Sequence, residues 1–297
     1  MSSAPPLRLG FDLSEGAIGI AAVHPTEGMT FRVVASDSYA GEHHLETIVQ
    51  AIEDLRRQAP AGSVDTSSIG LALAPERSDL LAILAARLQT PIAVESPGRC
   101  VVLAEQTFGR ERGPLDLAYV DVGEHLSTGV LIDGRILSGT KGDGGEGGHT
   151  LYRPGGLDCA CGMRGCFSAY ASELALRNQF ARQVQDGRRT TIRPEPVCYA
   201  TLLDAAAHGD RLAGELLYEA EFALAVLLYN LHRLFEPRAL LVGGMALRRT
   251  PLLLERLRAK MSALTGRDWP LEAPALGREA AALGASILAA YPSPQVS

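Results

Sequence analysis

The sequence is poor in cysteine, in aromatic residues and in positive charge, and each shortage argues against a class of protein. It has five cysteines, which argues against a small protein held together by disulfide bonds. A chain of 297 residues can bury enough surface to fold without such bonds. Aromatic residues make up 5%, so there is no obvious platform for stacking a sugar ring as in a lectin. The formal net charge of −6, with no long basic run, argues against binding nucleic acid by general electrostatics.

Long apolar runs are also missing. No window holds eighteen uninterrupted apolar residues, so we expect no membrane span. The first residues, MSSAPPLRLGFD, lack the charged start and apolar stretch of a signal peptide, which predicts a cytoplasmic protein. Thiols are reduced in that compartment, so the cysteines between positions 159 and 166 are not expected to form disulfides.

The order of predicted elements indicates a mixed α/β layer fold. LRLGFDL, AIGIAAVHP and FRVVASDSYA predict three strands of an antiparallel meander, and alternating helices and strands follow. CVVLAEQTFG is predicted to be one of these helices. A second strand-rich unit begins near residue 115 and contains an Asp-Gly pair, in IDGR, that is typical of a hairpin. Residues 199–237 predict a long helical stretch, RALLVGG a buried strand, and EAAALGASILAAY a terminal helix.

The densest chemical signal is a group of potential metal ligands within eighteen positions. These are His149, Cys159, Cys161 and Cys166. Gly162 and Gly165 lie between the ligands and allow the chain to fold back on itself. Three thiolates and an imidazole suit a closed tetrahedral zinc site of the structural kind, because a catalytic zinc keeps one position open. The alternative is a set of solvent-tolerant cysteines without a ligand.

The run GGEGGHTLYRPGGLDCACGMRGC resembles the signature of the ROK family, named for repressors, open reading frames and sugar kinases. Weaker similarities extend over nearly the whole chain. The resemblance implies the actin-like ATPase (ribonuclease H-like) fold, with two α/β domains around a central cleft. We expect an N-terminal domain over 1–117, joined by the C-terminal helix 277–297, and a larger domain over 118–276 that carries the zinc site. Family members phosphorylate hexoses with ATP and magnesium, or sense sugars as regulators fused to a DNA-binding module.

The family's catalytic base is the aspartate of an Asn-Asp pair at the end of a strand. Aligning the stretch AVESPGRCVVLAE places Ser96 and Pro97 at these two positions. Proline cannot accept a proton from the attacking hydroxyl. Glu95 is the adjacent carboxylate, and strand alternation predicts that it points away from position 97. We therefore assign no catalytic residue.

The loops that resemble phosphate-binding loops carry acidic residues where the family has small ones. The first runs from Asp12 to Gly16 and contains Glu15, which would repel a triphosphate. Asp12 could coordinate magnesium or cap the turn at Ser14. The second loop begins at Gly123 and continues with Glu124 and His125, which form either a new polar site or, more simply, an exposed loop.

Gly243 and Gly244 follow a predicted strand and are compatible with a nucleotide base. The nucleotide-binding candidates are therefore Asp12, Gly123, Gly243 and Gly244. The altered loops argue against Mg-ATP as a cofactor.

On the sugar side, Glu146 and His149 match family positions that contact hexose hydroxyls. Glu146 could instead be a solvated loop residue. Ser168 stands where the family has a third sugar-binding carboxylate, and the family's sugar-binding asparagine is replaced at Ser96.

Three hypotheses follow. The first is a non-catalytic sensor or regulator that binds a sugar or sugar derivative. The second is an active ATP-dependent hexose kinase, and the third is a zinc-stabilised interaction protein with a dead cleft. We expect a homodimer, and no direct DNA binding, because the residues before the first strand leave no room for a helix-turn-helix.

Overall fold

The computed structural model describes residues 7–14, 17–24, 28–35, 42–58, 69–73, 78–88, 91–110, 116–193 and 197–288. Contacts between backbone positions divide the chain into two compact units. One spans Met1–Pro114 with Ala275–Ser297, and the other spans Leu115–Pro274. Within the described ranges, no helix is both long and apolar enough to cross a membrane.

The first unit is built on a five-stranded mixed sheet. Its strands are β1 (Arg8–Asp12), β2 (Ala17–His24), β3 (Gly28–Ala35), β4 (Ile69–Ala72) and β5 (Ile92–Glu95). The order is β3-β2-β1-β4-β5. The first three strands are antiparallel, which confirms the predicted meander, whereas β4 and β5 run parallel to β1.

The helices of this unit are α1 (Glu42–Gln58), α2 (Ser78–Leu88), α3 (Pro97–Phe108) and α10 (Ala280–Leu288). The terminal helix α10 packs closely on β1, β4 and α3. Glycines make this approach possible: a Cβ atom on Gly10, Gly70 or Gly284 would overlap backbone atoms of the neighbouring element. Helix α10 is therefore part of the core of the first unit.

The second unit repeats the same strand pattern. Its strands are β6 (Leu117–Val122), β7 (Leu126–Ile132), β8 (Arg135–Ile136), β9 (Ala239–Gly243) and β10 (Leu271–Glu272). The order is β10-β9-β6-β7-β8, with an antiparallel β6–β7–β8 meander and parallel β9 and β10. The predicted hairpin is confirmed at Asp133 and Gly134, whose φ angles of 51° and 71° are both positive.

The helices of the second unit are α4 (Ser168–Ala171), α5 (Glu173–Gln185), α6 (Tyr199–Ala207), α7 (Arg211–Phe235), α8 (Met245–Arg249) and α9 (Leu252–Thr265). The predicted helical stretch over 199–237 is two helices. The break falls at Gly209, which has a φ of 88°, and Asp210 then caps α7. The long helix α7 contributes many of its buried residues to the core of this unit.

Candidate metal centre and the loops around it

The structure brings together the four ligands predicted from the sequence. One potential ligand atom from each of His149, Cys159, Cys161 and Cys166 lies within 4.8 Å of all the others. His149 Nδ1 is 3.5 Å from Cys159 Sγ, and Cys161 Sγ is 3.7 Å from Cys166 Sγ. A tetrahedron with zinc–sulfur bonds of about 2.3 Å has sulfur–sulfur edges of about 3.8 Å. The two distances between ligand atoms are close to this edge length and therefore fit tetrahedral coordination of a zinc ion.

Local backbone geometry assembles the cluster. The Cys159 amide donates to the Met163 carbonyl at 2.9 Å, which closes a tight turn around the third ligand, Cys161. Gly162 and Gly165 have φ angles of 87° and 97°, a region that side-chain-bearing residues rarely occupy. A Cβ on Gly165 would also overlap the carbonyl of Arg153. The predicted role of these two glycines is confirmed.

The thiols respond differently to their surroundings. Burial, followed by hydrogen bonds and charges from the two neighbouring cysteines, raises the pKa of the Cys166 thiol to about 12. Burial also raises the pKa of Cys159. For Cys161, burial acts in the same direction, but hydrogen bonds led by the Met163 amide outweigh it and lower the pKa. Three thiolates so close together repel one another, and a divalent cation would relieve that repulsion.

A bend just before the cluster carries Glu146 and His149. Gly147–His149 form a short 3-10 helix, and the His149 amide donates to the Glu146 carbonyl at 3.0 Å. Thr128 on β7 is fully buried and holds this bend from the sheet side. Its Oγ1 donates to the Gly145 carbonyl at 2.6 Å and accepts from the Gly147 amide at 2.7 Å. The side chain of Glu146 is half-buried, three positions from a metal-ligand candidate.

At the junction of β5 and α3, the helix starts earlier than the sequence predicted. It begins at Pro97, in the first helical position, rather than at Cys100, because the fixed φ of proline suits that position. Arg99 is 2% exposed, and its Nη1 lies 3.0 and 3.2 Å from the two carboxylate oxygens of Glu95. The carboxylate next to Pro97 is therefore engaged in an ion pair.

Asp12 caps its own turn. Its Oδ1 accepts hydrogen bonds from the Ser14 amide at 2.9 Å and from the Ser14 hydroxyl at 2.6 Å. Of the two roles considered for Asp12, the contacts match the turn cap. Glu15 and Gly16, which complete this loop, lie outside the described residues.

The second loop, which begins at Gly123, is bound to α5 through an ion pair and backbone hydrogen bonds. The expectation that Glu124 is exposed is therefore wrong. Its side chain is 19% exposed and forms an ion pair with Arg177. The carbonyls of Gly123 and Glu124 accept hydrogen bonds from the first amides of α5, those of Glu173 and Leu174, at 2.9 and 3.2 Å. These bonds satisfy helix amides that would otherwise lack a partner.

Glu173 itself is a buried carboxylate that the sequence alone did not identify. It is 2% exposed, and its Oε1 accepts from the Tyr199 amide at 3.4 Å while Oε2 lies 3.7 Å from Arg249 Nη1. Burial raises the pKa of Glu173, although the hydrogen bond from Tyr199 and the charge of Arg249 oppose this rise. The residue ties the start of α5 to the start of α6 and the end of α8.

Gly243 and Gly244 are required by packing inside the second unit. A Cβ on Gly243 would lie 2.8 Å from the hydroxyl of Tyr119 and 2.9 Å from Pro274. Gly244 has a φ of 92° and directly precedes α8, close to the Asp121 carboxylate. The close strand-to-helix turn accounts for both glycines whether or not a nucleotide binds there.

Together, two mixed sheets with the same strand order define the α/β sugar-kinase fold of the actin-like ATPases. The chain belongs to the ROK family, whose sequence pattern matches residues 36–291. The solved structure of a ROK hexokinase from Thermus thermophilus superimposes with a TM-score of 0.73 at 28% identity, covering 96% of this chain and 98% of that chain.

Relatives of two kinds match the sequence. A glucokinase from Thermotoga maritima is 28% identical over 281 residues, which are 86% of this chain and 88% of the glucokinase. A xylose repressor from Bacillus spizizenii is 26% identical over 212 residues, which are 70% of this chain and 53% of the repressor. The chain thus spans about half the length of the xylose repressors it matches.

Proposed function

We propose that this chain is a non-catalytic member of the ROK family that binds a carbohydrate or a derivative of one and acts as a sensor or regulator. The observation that carries the proposal is the start of α3. Proline occupies the position where the family resemblance expects the catalytic aspartate. A general base must lie within hydrogen-bonding reach of the hydroxyl it activates. Glu95, the neighbouring carboxylate, is paired with Arg99.

The second loop supports the same proposal. A phosphate-binding loop needs open backbone amides and small side chains. Here Glu124 brings a carboxylate to the loop, and its ion pair with Arg177 fixes that negative charge in place. The nucleotide-binding roles of Asp12, Gly123, Gly243 and Gly244 remain predictions.

The Cys/His cluster is proposed to hold structural zinc. Three sulfur ligands and one nitrogen ligand match the donor set and spacing of a closed tetrahedral site. The ion would fix the loop that follows the bend of Glu146 and His149. We propose that these two residues contact the hydroxyl groups of the ligand, with His149 also serving the metal.

An active sugar kinase is the second candidate. The similarity to the Thermotoga maritima glucokinase along 88% of that protein's length favours it. Under this alternative, a carboxylate elsewhere in the chain would act as the base, since position 97 is a proline.

A phosphotransfer assay separates the two candidates. Purified protein would be incubated with ATP, magnesium and a panel of hexoses and amino sugars, with nucleotide products followed by chromatography. We expect no turnover dependent on both sugar and magnesium, while at least one carbohydrate raises the melting temperature. Magnesium-dependent formation of a sugar phosphate would overturn the proposal in favour of the kinase.

The partners also remain proposals. We propose that the chain forms a homodimer. Light scattering of the purified chain tests this proposal.

A further inference from the structure

The junction of β5 and α3 lies at one edge of the first sheet. Strands β1, β4 and β5 are parallel, and their register places Asp12, Ala72 and Glu95 side by side where the strands end. In open α/β sheets, ligands bind outside the carboxyl ends of the parallel strands. Helix α3 starts directly after this edge, with Ser96 as its N-cap residue.

Ser96 has an unmet hydrogen-bonding requirement. The residue is 6% exposed, and among the described residues its Oγ has no hydrogen-bond partner. Its side chain does not cap α3, although serine commonly does so from this position. Buried hydroxyls are nearly always paired, because leaving one unpaired costs free energy. A hydroxyl of this kind at the start of a helix is available to a ligand.

The charges around the junction favour a negative group. The first turn of α3 contains no acidic residue, and the N-terminus of a helix carries a partial positive charge. Glu95 is neutralised by Arg99, whose guanidinium contacts both of its oxygens. Asp12 lies two strands from Glu95, about 10 Å at the usual strand spacing, and its Oδ1 is already bound by Ser14.

We propose that the junction, within the first unit, binds the acidic group of a carbohydrate derivative, a phosphate or a carboxylate, through the Ser96 hydroxyl and the N-terminus of α3. The ligand class is then a sugar phosphate or a sugar acid rather than an unmodified hexose. The inference rests on the proposed function for the carbohydrate part of the ligand. The absence of a carboxylate at Pro97 is essential to it, because an aspartate there would repel an acidic group.

The test is titration calorimetry on this whole chain, purified in the presence of zinc, at constant ionic strength. Glucose, mannose, galactose and N-acetylglucosamine are each compared with their 6-phosphates, and the three hexoses also with their uronic acids. Inorganic phosphate is a separate probe. We expect at least one acidic sugar to bind ten times more tightly than its parent, and the phosphate and uronate arms identify the acidic group. Equal affinity of every acidic sugar and its parent would overturn the inference.

Variants at Ser96 locate the acidic group. Aspartate and asparagine are both favoured N-caps of similar size, so Ser96→Asp and Ser96→Asn form a pair that differs in charge. We expect Ser96→Asp to weaken binding of the acidic sugar at least tenfold more than Ser96→Asn does. Pro97→Asp against Pro97→Asn repeats the comparison if a Ser96 variant fails to fold. Equal losses within each pair would refute binding at this junction.

The outcomes separate this inference from the proposed function. Binding of neutral sugars without any preference for acidic forms refutes the inference and leaves a carbohydrate sensor standing. Transfer of phosphate from ATP refutes the proposed function, whereas the charge effect of the Ser96 variants still decides whether the junction receives an acidic group.

Discussion

The hydroxyl of Thr128 and the amide of Gly147 are joined by a hydrogen bond of 2.7 Å, which fixes the bend carrying Glu146 and His149 to the second sheet. The same hydroxyl donates to the Gly145 carbonyl, so both of its hydrogen-bonding functions are used. The bend is therefore positioned from β7 as well as from the Cys/His cluster that follows it.

Thr128→Val keeps the shape of this side chain and removes both hydrogen bonds. We expect the free energy of unfolding to fall by about 1–3 kcal/mol, because two backbone groups of the bend lose their partner. Thr150→Val is the matched control, since that exposed hydroxyl also bonds the bend, at the Gly147 carbonyl. Urea unfolding measures both variants, and equal losses would mean that burial of Thr128 is unimportant.

Cys161→Ser should remove the bound metal. We expect about one zinc per chain in the unaltered protein and a large loss of both zinc and melting temperature in the variant, because metal binding contributes to folding. Mass spectrometry for metals and thermal unfolding give the two readouts. Cys198→Ser, which alters a cysteine outside the cluster, should retain the metal. A stable protein that contains no metal would refute the site.

Asp210 couples stability to pH. Burial acts to raise the pKa of this carboxyl, but hydrogen bonds from Ala213, Thr190 and Thr191 outweigh it and hold the pKa at about 2, below the usual 3.8. Because the folded pKa is lowered, the stabilisation is complete well above pH 3.8 and is lost as the pH falls through about 2.

Asp210→Asn should cost about 1 kcal/mol near neutral pH, since charge-assisted hydrogen bonds are stronger than neutral ones. The difference in urea midpoint between the unaltered protein and this variant should be smaller at pH 3 than at pH 6. Asp143→Asn, which removes a carboxylate at an exposed position, is the control. A difference that stays constant with pH would contradict the role given to the charge.

Two glycines should respond in opposite directions to alanine. In Gly284→Ala the new methyl group would overlap the Cys100 carbonyl, so we expect a loss of more than about 3 kcal/mol as α10 is displaced from α3. Gly214 lies within α7 with open space around it, and Gly214→Ala should stabilise the protein by about 0.5–1 kcal/mol. Thermal unfolding measures both, and tolerance of Gly284→Ala would contradict the close packing of α10.

The sequence by itself determined the features that depend on local pattern. Short-range periodicity predicts the meander at the start of the chain, and the Asp133-Gly134 pair predicts the hairpin. The close spacing of the histidine and the cysteines along the chain predicts the cluster. The signature around the cysteines also identified the ROK family, which the match over residues 36–291 confirms. Local signals were less accurate at helix ends, where Pro97 begins α3 and Gly209 interrupts the helical stretch.

Only the tertiary structure decided which side chains meet across the fold. Glu124 and Arg177 are 53 positions apart, and Thr128 and Gly147 are 19 apart. No periodicity relates such positions, because their contact depends on how a strand and a helix pack after each has formed. The Ser96 hydroxyl, buried without a partner among the described residues, could not be predicted either, since burial and pairing depend on the surrounding atoms. The spacing of the histidine and cysteine residues is therefore enough to identify the family. The contacts that surround the loop residues depend on tertiary packing.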